Sequence, residues 1–427
     1  MRGSEDSSKR ALPIDTSFYY GWVMVFVSGL TVFFSGPGQT YSVSTFIDSY
    51  IQQFGWSRSM VSSMYSLGTL TAGLLMGFIG NLFDRKGHRI MTTFVAIGLS
   101  LACVWMSIVQ NSVMLLGGFF LIRLFGQGSM SLSSVTLPLQ WFSRRRGFVL
   151  SLVSIGGVIS SAFIPPLNTW LINSLGWTEG WRIWALLLGV IMTPIAYLFI
   201  RNRPEDVGLS SDTLKPVESV RRDDAPLKED ELWTLREALA TRSFWLLLFC
   251  SAIPSAILTA MTFHHVSIMS QLGLSVEMAA MILSFKALLR LPMMFLAGYV
   301  VDRVNPRLLM VASQSVLLIG ISILYFANGV ATAMAYGVVI GMMMGFHVVV
   351  SGVIWPHYYG RRSLASIRGV TMMVSVISSA LGPLPFGLAF DIFGGYQEVL
   401  GLSLIFPTLG VIAAFFAIKP NKRTRLG

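Results

Sequence analysis

The chain has 427 residues, of which 54% are hydrophobic and only 12% charged, with a mean hydropathy of +0.67. A soluble protein of this length exposes about twice that share of charge, so the composition excludes a water-soluble globular protein and points to an all-α integral membrane protein with many spans. The formal charge of +11 comes with no nucleic-acid motif, and Cys103 and Cys250 both fall in apolar runs, so no disulfide framework is implied.

Residues 1–19 are polar and read as a cytoplasmic N-tail, and the apolar run that follows is too long for a signal-peptide core. Twelve transmembrane helices are predicted, at about 20–47, 60–81, 89–110, 113–140, 148–174, 182–201, 243–270, 277–301, 308–328, 331–356, 364–390 and 397–418. They are numbered here as spans one to twelve. The one long connection, 203–242, holds 10 of the 20 acidic residues and reads as a cytoplasmic linker. Its tail, ELWTLREALATRSFW at 231–245, has the pattern of a short amphipathic helix. The linker divides the chain into an N-terminal six-helix bundle (20–202) and a C-terminal one (243–418), with a C-tail at 419–427. With the N-terminus inside, 26 of the 31 Lys and Arg face the cytoplasm and two face out. That asymmetry places both termini in the cytoplasm of a plasma (inner) membrane protein.

The two halves repeat each other. Gly80, Asp84, Arg85 and Arg89 match Gly298, Asp302, Arg303 and Arg307 at an offset of 218 residues. At the same offset VISSA at 158–162 matches VISSA at 376–380, and Pro165 matches Pro383. A charged turn and a membrane segment in one register indicate duplication, with two pseudo-symmetric bundles enclosing a cavity along the membrane normal.

The residues of these turns carry a family resemblance. GNLFDRKGHR at 80–89 is similar to the signature loop of the major facilitator superfamily between spans two and three, and GYVVDRVNPR at 298–307 is its echo between eight and nine. The echo has Asn305-Pro306 where the glycine would be. IRLFGQGSM at 122–130 resembles the arginine–glycine signature of span four. FGWSRSMVSSMYSL at 54–67, WFSRRRGFVLSL at 141–152, GWRIW at 180–184 and RPEDVGL at 203–209 resemble the branch of monocarboxylate transporters and oxalate–formate antiporters. The resemblance implies alternating access, with the turns Gly80–Arg89 and Gly298–Arg307 forming links that stabilise one access state. The substrate does not carry over. Where monocarboxylate transporters have an acid and then an arginine in span eight, this chain has Lys286 and Arg290. Span one lacks their lysine, and span eleven lacks the central lysine of the oxalate antiporter.

Span eight is the most informative stretch. Lys286 lies roughly 14 Å inside its start and Arg290 about 6 Å deeper. Each cation costs about 2.5–3.5 kcal/mol by insertion scales, and at i,i+4 the two share a face and repel. None of the 20 acidic residues falls in the middle of a span. A bound anion is therefore the expected counter-charge: a guanidinium grips a carboxylate with two parallel hydrogen bonds, and an ammonium adds a compact charge. Pairing with helix carbonyls, Tyr and Ser is the structural alternative.

Arg123 occupies the position of the family's span-four arginine, a structural or coupling residue that is also a candidate substrate contact. Gln39 and Tyr41 follow Gly36-Pro37-Gly38, which should break span one and leave polar groups to line a site. Tyr65 in span two is a similar candidate. His264, His265 and His347 are candidates for proton coupling, against the commoner role of a hydrogen-bonded histidine. Small residues at i,i+4, such as Gly337, Gly341 and Gly345, read as close helix packing.

No nucleotide loop, metal-ligand cluster or nucleophile–base pair stands out, so no enzyme activity, cofactor or metal is expected. The expectation is a secondary-active carrier of small organic anions, mono- or dicarboxylates, acting as a monomer in the lipid bilayer and without a nucleic-acid partner. Proton-coupled monocarboxylate symport is the alternative, together with drug or cation efflux.

Overall fold

The computed structural model of the chain describes residues 18–142, 146–207, 209, 233–301, 303–360 and 364–421. The described residues are helical with no strand, and twelve helices are long and apolar enough to cross a membrane. An even number of spans returns both ends of the chain to one side, and the opposite side is called distal below.

Several spans are interrupted. Span one runs as a helix over Gly21–Phe34, tightens to a 3₁₀ turn at Gly36–Gly38 and resumes at Thr40–Val43 and Ile47–Phe54. Pro37 lacks the amide that would continue the ladder. Span seven runs Arg242–Phe263, pauses at His264 and continues over His265–Gln271. Its pause has a counterpart 218 residues earlier, at Phe46. Span four carries a π-helical stretch, Arg123–Met130, across the arginine–glycine signature. Span eight, Val276–Val301, and span ten, Val330–Tyr359, are unbroken. The linker tail forms a five-residue helix, Leu235–Leu239, started by a capping box between Thr234 and Glu237.

The duplication is visible in side-chain contacts as well as in sequence. Arg89 lies over the Tyr197 ring at 4.7 Å, and Arg307 lies over the Phe415 ring at 5.6 Å. Both members of the second pair are 218 residues beyond the first. Tyr41 bonds Ser160 at 2.8 Å, and Thr259, its equivalent, bonds Ser379, one residue beyond the equivalent of Ser160, at 2.9 Å.

The chain forms two compact units that do not coincide with the two halves of the sequence. One takes the described residues of Met1–Ser42, Leu74–Ser160 and Leu171–Asp224. The other takes Val43–Gly73, Ser161–Trp170 and Ala225–Gly427. The second unit thus includes the distal segments of spans one, two and five, packed among residues of spans seven, eight and eleven. Its core contains Ile257, Met261, Ile282, Tyr336, Ile340 and Phe386.

Candidate functional site

In the second unit, Lys286 is buried within the protein, 4% exposed. Its Nζ donates to the Tyr336 hydroxyl at 3.2 Å and lies 5.1 Å from the centre of the same ring. Tyr336 is fully buried and stacks on His265, ring centres 6.4 Å apart. His265 Nε2 lies 3.0 Å from the Ala279 carbonyl. A carbonyl only accepts, so Nε2 carries the proton and Nδ1 presents a lone pair. That buried Nδ1 has no hydrogen-bond partner among the described residues. Lys286 likewise has no carboxylate partner among them. Arg290, one turn on, is half-buried.

The backbone of this cationic stretch is set by glycines of span ten. A Cβ on Gly337 would meet Ile282 Cγ2 at 3.0 Å, and one on Gly341 would meet the Lys286 carbonyl oxygen at 2.6 Å. A Cβ on Gly345 would overlap the Arg290 carbonyl oxygen. Three glycines at i,i+4 spacing therefore follow three residues at i,i+4 spacing, and the two helices touch backbone to backbone.

In the first unit, Arg123 is 2% exposed and aimed at the break in span one. Its Nη1 donates to the Gly38 carbonyl at 3.1 Å and to Thr40 Oγ1 at 3.3 Å. A Cβ on Gly126 would lie 2.8 Å from Gly38 Cα, so spans one and four cross at two glycines. Arg123 thereby satisfies a carbonyl that the broken helix releases. Gln39 Nε2 donates to Ser35 Oγ at 3.1 Å and Ser131 Oγ at 3.2 Å, and both Gln39 and Tyr41 are half-buried.

The remaining sequence candidates are not brought to one place. Tyr65 is fully buried against Phe263, ring centres 4.4 Å apart. His264 Nε2 lies 2.9 Å from the Pro383 carbonyl and Nδ1 lies 3.2 Å from the Tyr396 hydroxyl. Nε2 is therefore the protonated nitrogen, and Tyr396 donates to Nδ1. His347 lies between Ser313 of span nine, at 2.8 Å from Nδ1, and Ser351, at 3.0 Å from Nε2. Of the charged turns, Arg89 Nε donates to the Tyr197 carbonyl at 2.7 Å and Arg303 to the Tyr299 carbonyl at 2.9 Å. Gly80 and Gly298 lie within spans two and eight, and Arg85 is exposed. Asp302 and the Asp84 side chain lie outside the described residues.

Tyr336 is the residue that sequence reasoning misses. It sits five residues before Gly341 in an apolar run, and only its register against Lys286 marks it. The spacing of Gly337, Gly341 and Gly345 was available as a signal of where span ten approaches a neighbour, without naming which.

A family profile described as Major Facilitator Superfamily matches residues 21–383 and 265–426. The multidrug resistance protein MdtG of Dickeya zeae is 26% identical over 43% of this chain and 45% of that protein. The glucose transporter GlcP of Staphylococcus epidermidis is 25% identical over 84% of this chain and 86% of that protein. Mouse monocarboxylate transporter 9 is 30% identical over 37% of this chain and 31% of that protein. The chain thus matches less than half of two of these relatives. A solved bacterial homologue of the human lysosomal transporter Spinster, inward-facing and occupied, superposes with a TM-score of 0.70 at 16% identity, over 96% of this chain and 98% of that one.

Proposed function

From the premise that this chain belongs to the major facilitator superfamily and is a membrane transporter, we propose that it carries small organic anions, mono- or dicarboxylates, by alternating access. The observation that supports this reading is the setting of Lys286: a buried ammonium whose partner is a neutral phenol, one turn before Arg290. A charge taken from water and left with a hydroxyl is under-compensated. An anion held by the Arg290 guanidinium supplies the missing charge, and Lys286 strengthens the local field. Arg123 acts as a positioning residue for span one, with Gln39 and Tyr41 beside the break. The stacked arginines Arg89 and Arg307 steady the proximal turns in one access state. The carrier works as a monomer in the plasma membrane with both termini in the cytoplasm.

A second reading, proton-coupled symport of a monocarboxylate, draws on His265. Its ring stacks on the same Tyr336 that receives Lys286, and its Nδ1 has no hydrogen-bond partner among the described residues, so the cluster has a place for a proton. Cation efflux is less well supported, because no acidic residue lies in the middle of a span.

A ligand screen by thermal shift on the purified protein tests the proposal, since stabilisation grows with ligand concentration over Kd. Carboxylates should raise the melting temperature of the parent protein and not of Arg290→Ala. Stabilisation by neutral sugars with none by carboxylates would overturn it.

A further inference from the structure

We propose that Asp391 locks the distal end of span two against span eleven, and that its release is required for the carrier to open on the distal side. The inference rests only on the chain being a carrier, not on the charge of what it carries.

Span two starts at Arg58, and its first amides have no acceptor within the helix. Ser57 already supplies the ordinary local cap, its Oγ accepting from the Met60 amide at 3.1 Å. Asp391 adds a second cap from the far end of the sequence. Its Oδ1 accepts from the Arg58 amide at 3.2 Å and its Oδ2 from the Ser59 amide at 2.8 Å. Since the helix is capped without it, this carboxylate serves to tie two spans together. An anion at a helix N-terminus also gains from the helix dipole.

The surrounding contacts bring the same two helices into register. The Arg58 guanidinium pairs with Asp48 at 2.7 Å and lies over the Phe390 ring at 4.6 Å. One turn earlier on span eleven, a Cβ on Gly387 would meet Ser62 Oγ at 2.6 Å and Ser59 Cα at 3.0 Å. Ser62 is fully buried, with its Oγ 3.3 Å from His264 Nε2. Asp391 itself is exposed. Water can take its place on the amides when the spans part, which makes the tie reversible where an apolar seal alone would be slow to reopen.

The test needs no substrate. Ser62→Cys places a thiol at the centre of the closed contact, and its reaction with N-ethylmaleimide in detergent-purified full-length protein reads how often the contact opens. Cys103 and Cys250 are buried and report unfolding. Adding Asp391→Asn should speed labelling at position 62 about tenfold, the weight of one charged helix cap, with Cys103 still protected. Gly387→Ala, which wedges the helices apart, should speed it as well. Labelling of Asp391→Asn at the parent rate would overturn the proposal. So would labelling of Cys103 in step with position 62, which would make Asp391 a residue of general stability rather than a lock.

Discussion

A Cβ on Gly341 would sit 2.6 Å from the carbonyl oxygen of Lys286, so the buried cation is carried on a backbone that only glycine lets span ten approach. Packing, not an ion pair, fixes where Lys286 stands. Gly345 repeats the relationship with Arg290 one turn later.

Gly341→Ala should therefore destabilise the protein. The clash is with backbone, which cannot rotate away, and overpacking of this kind costs about 1–3 kcal/mol. Gly29→Ala provides the contrast, because a Cβ there meets nothing within 4 Å. That substitution should be neutral or slightly stabilising. Thermal unfolding of the two variants in detergent, with equal shifts, would contradict the packing argument.

Arg290→Ala and Lys286→Ala should each reduce anion uptake at least about tenfold, the weight of a charged hydrogen bond, while membrane insertion is kept. Removing a costly buried cation does not harm insertion. Arg290→Lys should fail too, since a point charge cannot reproduce a two-point grip. Near-normal uptake by both alanine variants would remove the anion site from span eight.

Tyr336→Phe should leave the Lys286 ammonium without its hydroxyl, a loss of about 1–3 kcal/mol for a buried polar group. If an anion relieves that deficit, ligand should stabilise the variant more than the parent in the same thermal-shift assay. Equal ligand shifts in the two proteins would separate Tyr336 from the site.

The twelve spans, the duplication and the family were legible because each rests on a signal that repeats along the chain. Apolar runs of 20 or more residues can do little else in a bilayer, and Arg89 and Arg307 announce their common ancestry by the turns around them. The structure then shows the same register in Arg89–Tyr197 and Arg307–Phe415, which sequence alone does not connect. The break at Gly36-Pro37-Gly38 was readable from proline chemistry. The candidate site was less legible. Arg123 and His347 look alike in sequence, as polar residues in apolar spans, yet one satisfies a freed carbonyl and the other bridges two serines. Which face of a span a polar residue occupies depends on the neighbour packed there, and that is set by tertiary contacts rather than by local pattern.

Stability should fall in alkali partly through Tyr396. Burial pushes its phenol from 10.0 up to about 12, with Arg58 pulling weakly the other way. The folded state holds this proton more tightly than the unfolded chain, so the contribution is complete below pH 10 and is lost as pH rises from 10 through about 12. Melting temperatures measured across that window should fall less steeply for Tyr396→Phe. Parallel curves for the two proteins would show that the phenol is not the group responsible.

Coupling is the last expectation. If an anion is the counter-charge of Lys286, the empty carrier must close around an ammonium whose partner is only the Tyr336 hydroxyl. Stripping water from such a site costs several kcal/mol. A bound anion removes most of that barrier, so the loaded carrier reorients faster than the empty one. A dianion matches the two cations of span eight better than a monoanion does. Exchange of one anion for another should therefore outrun net flux. In proteoliposomes, labelled anion should leave faster into buffer containing external anion than into buffer alone. Equal rates would remove the penalty on the empty site, and with it the case that Lys286 and Arg290 stay charged while the carrier turns. Efflux accelerated by a pH gradient and abolished by His265→Gln would instead place a proton on the Tyr336 cluster and make the carrier a symporter.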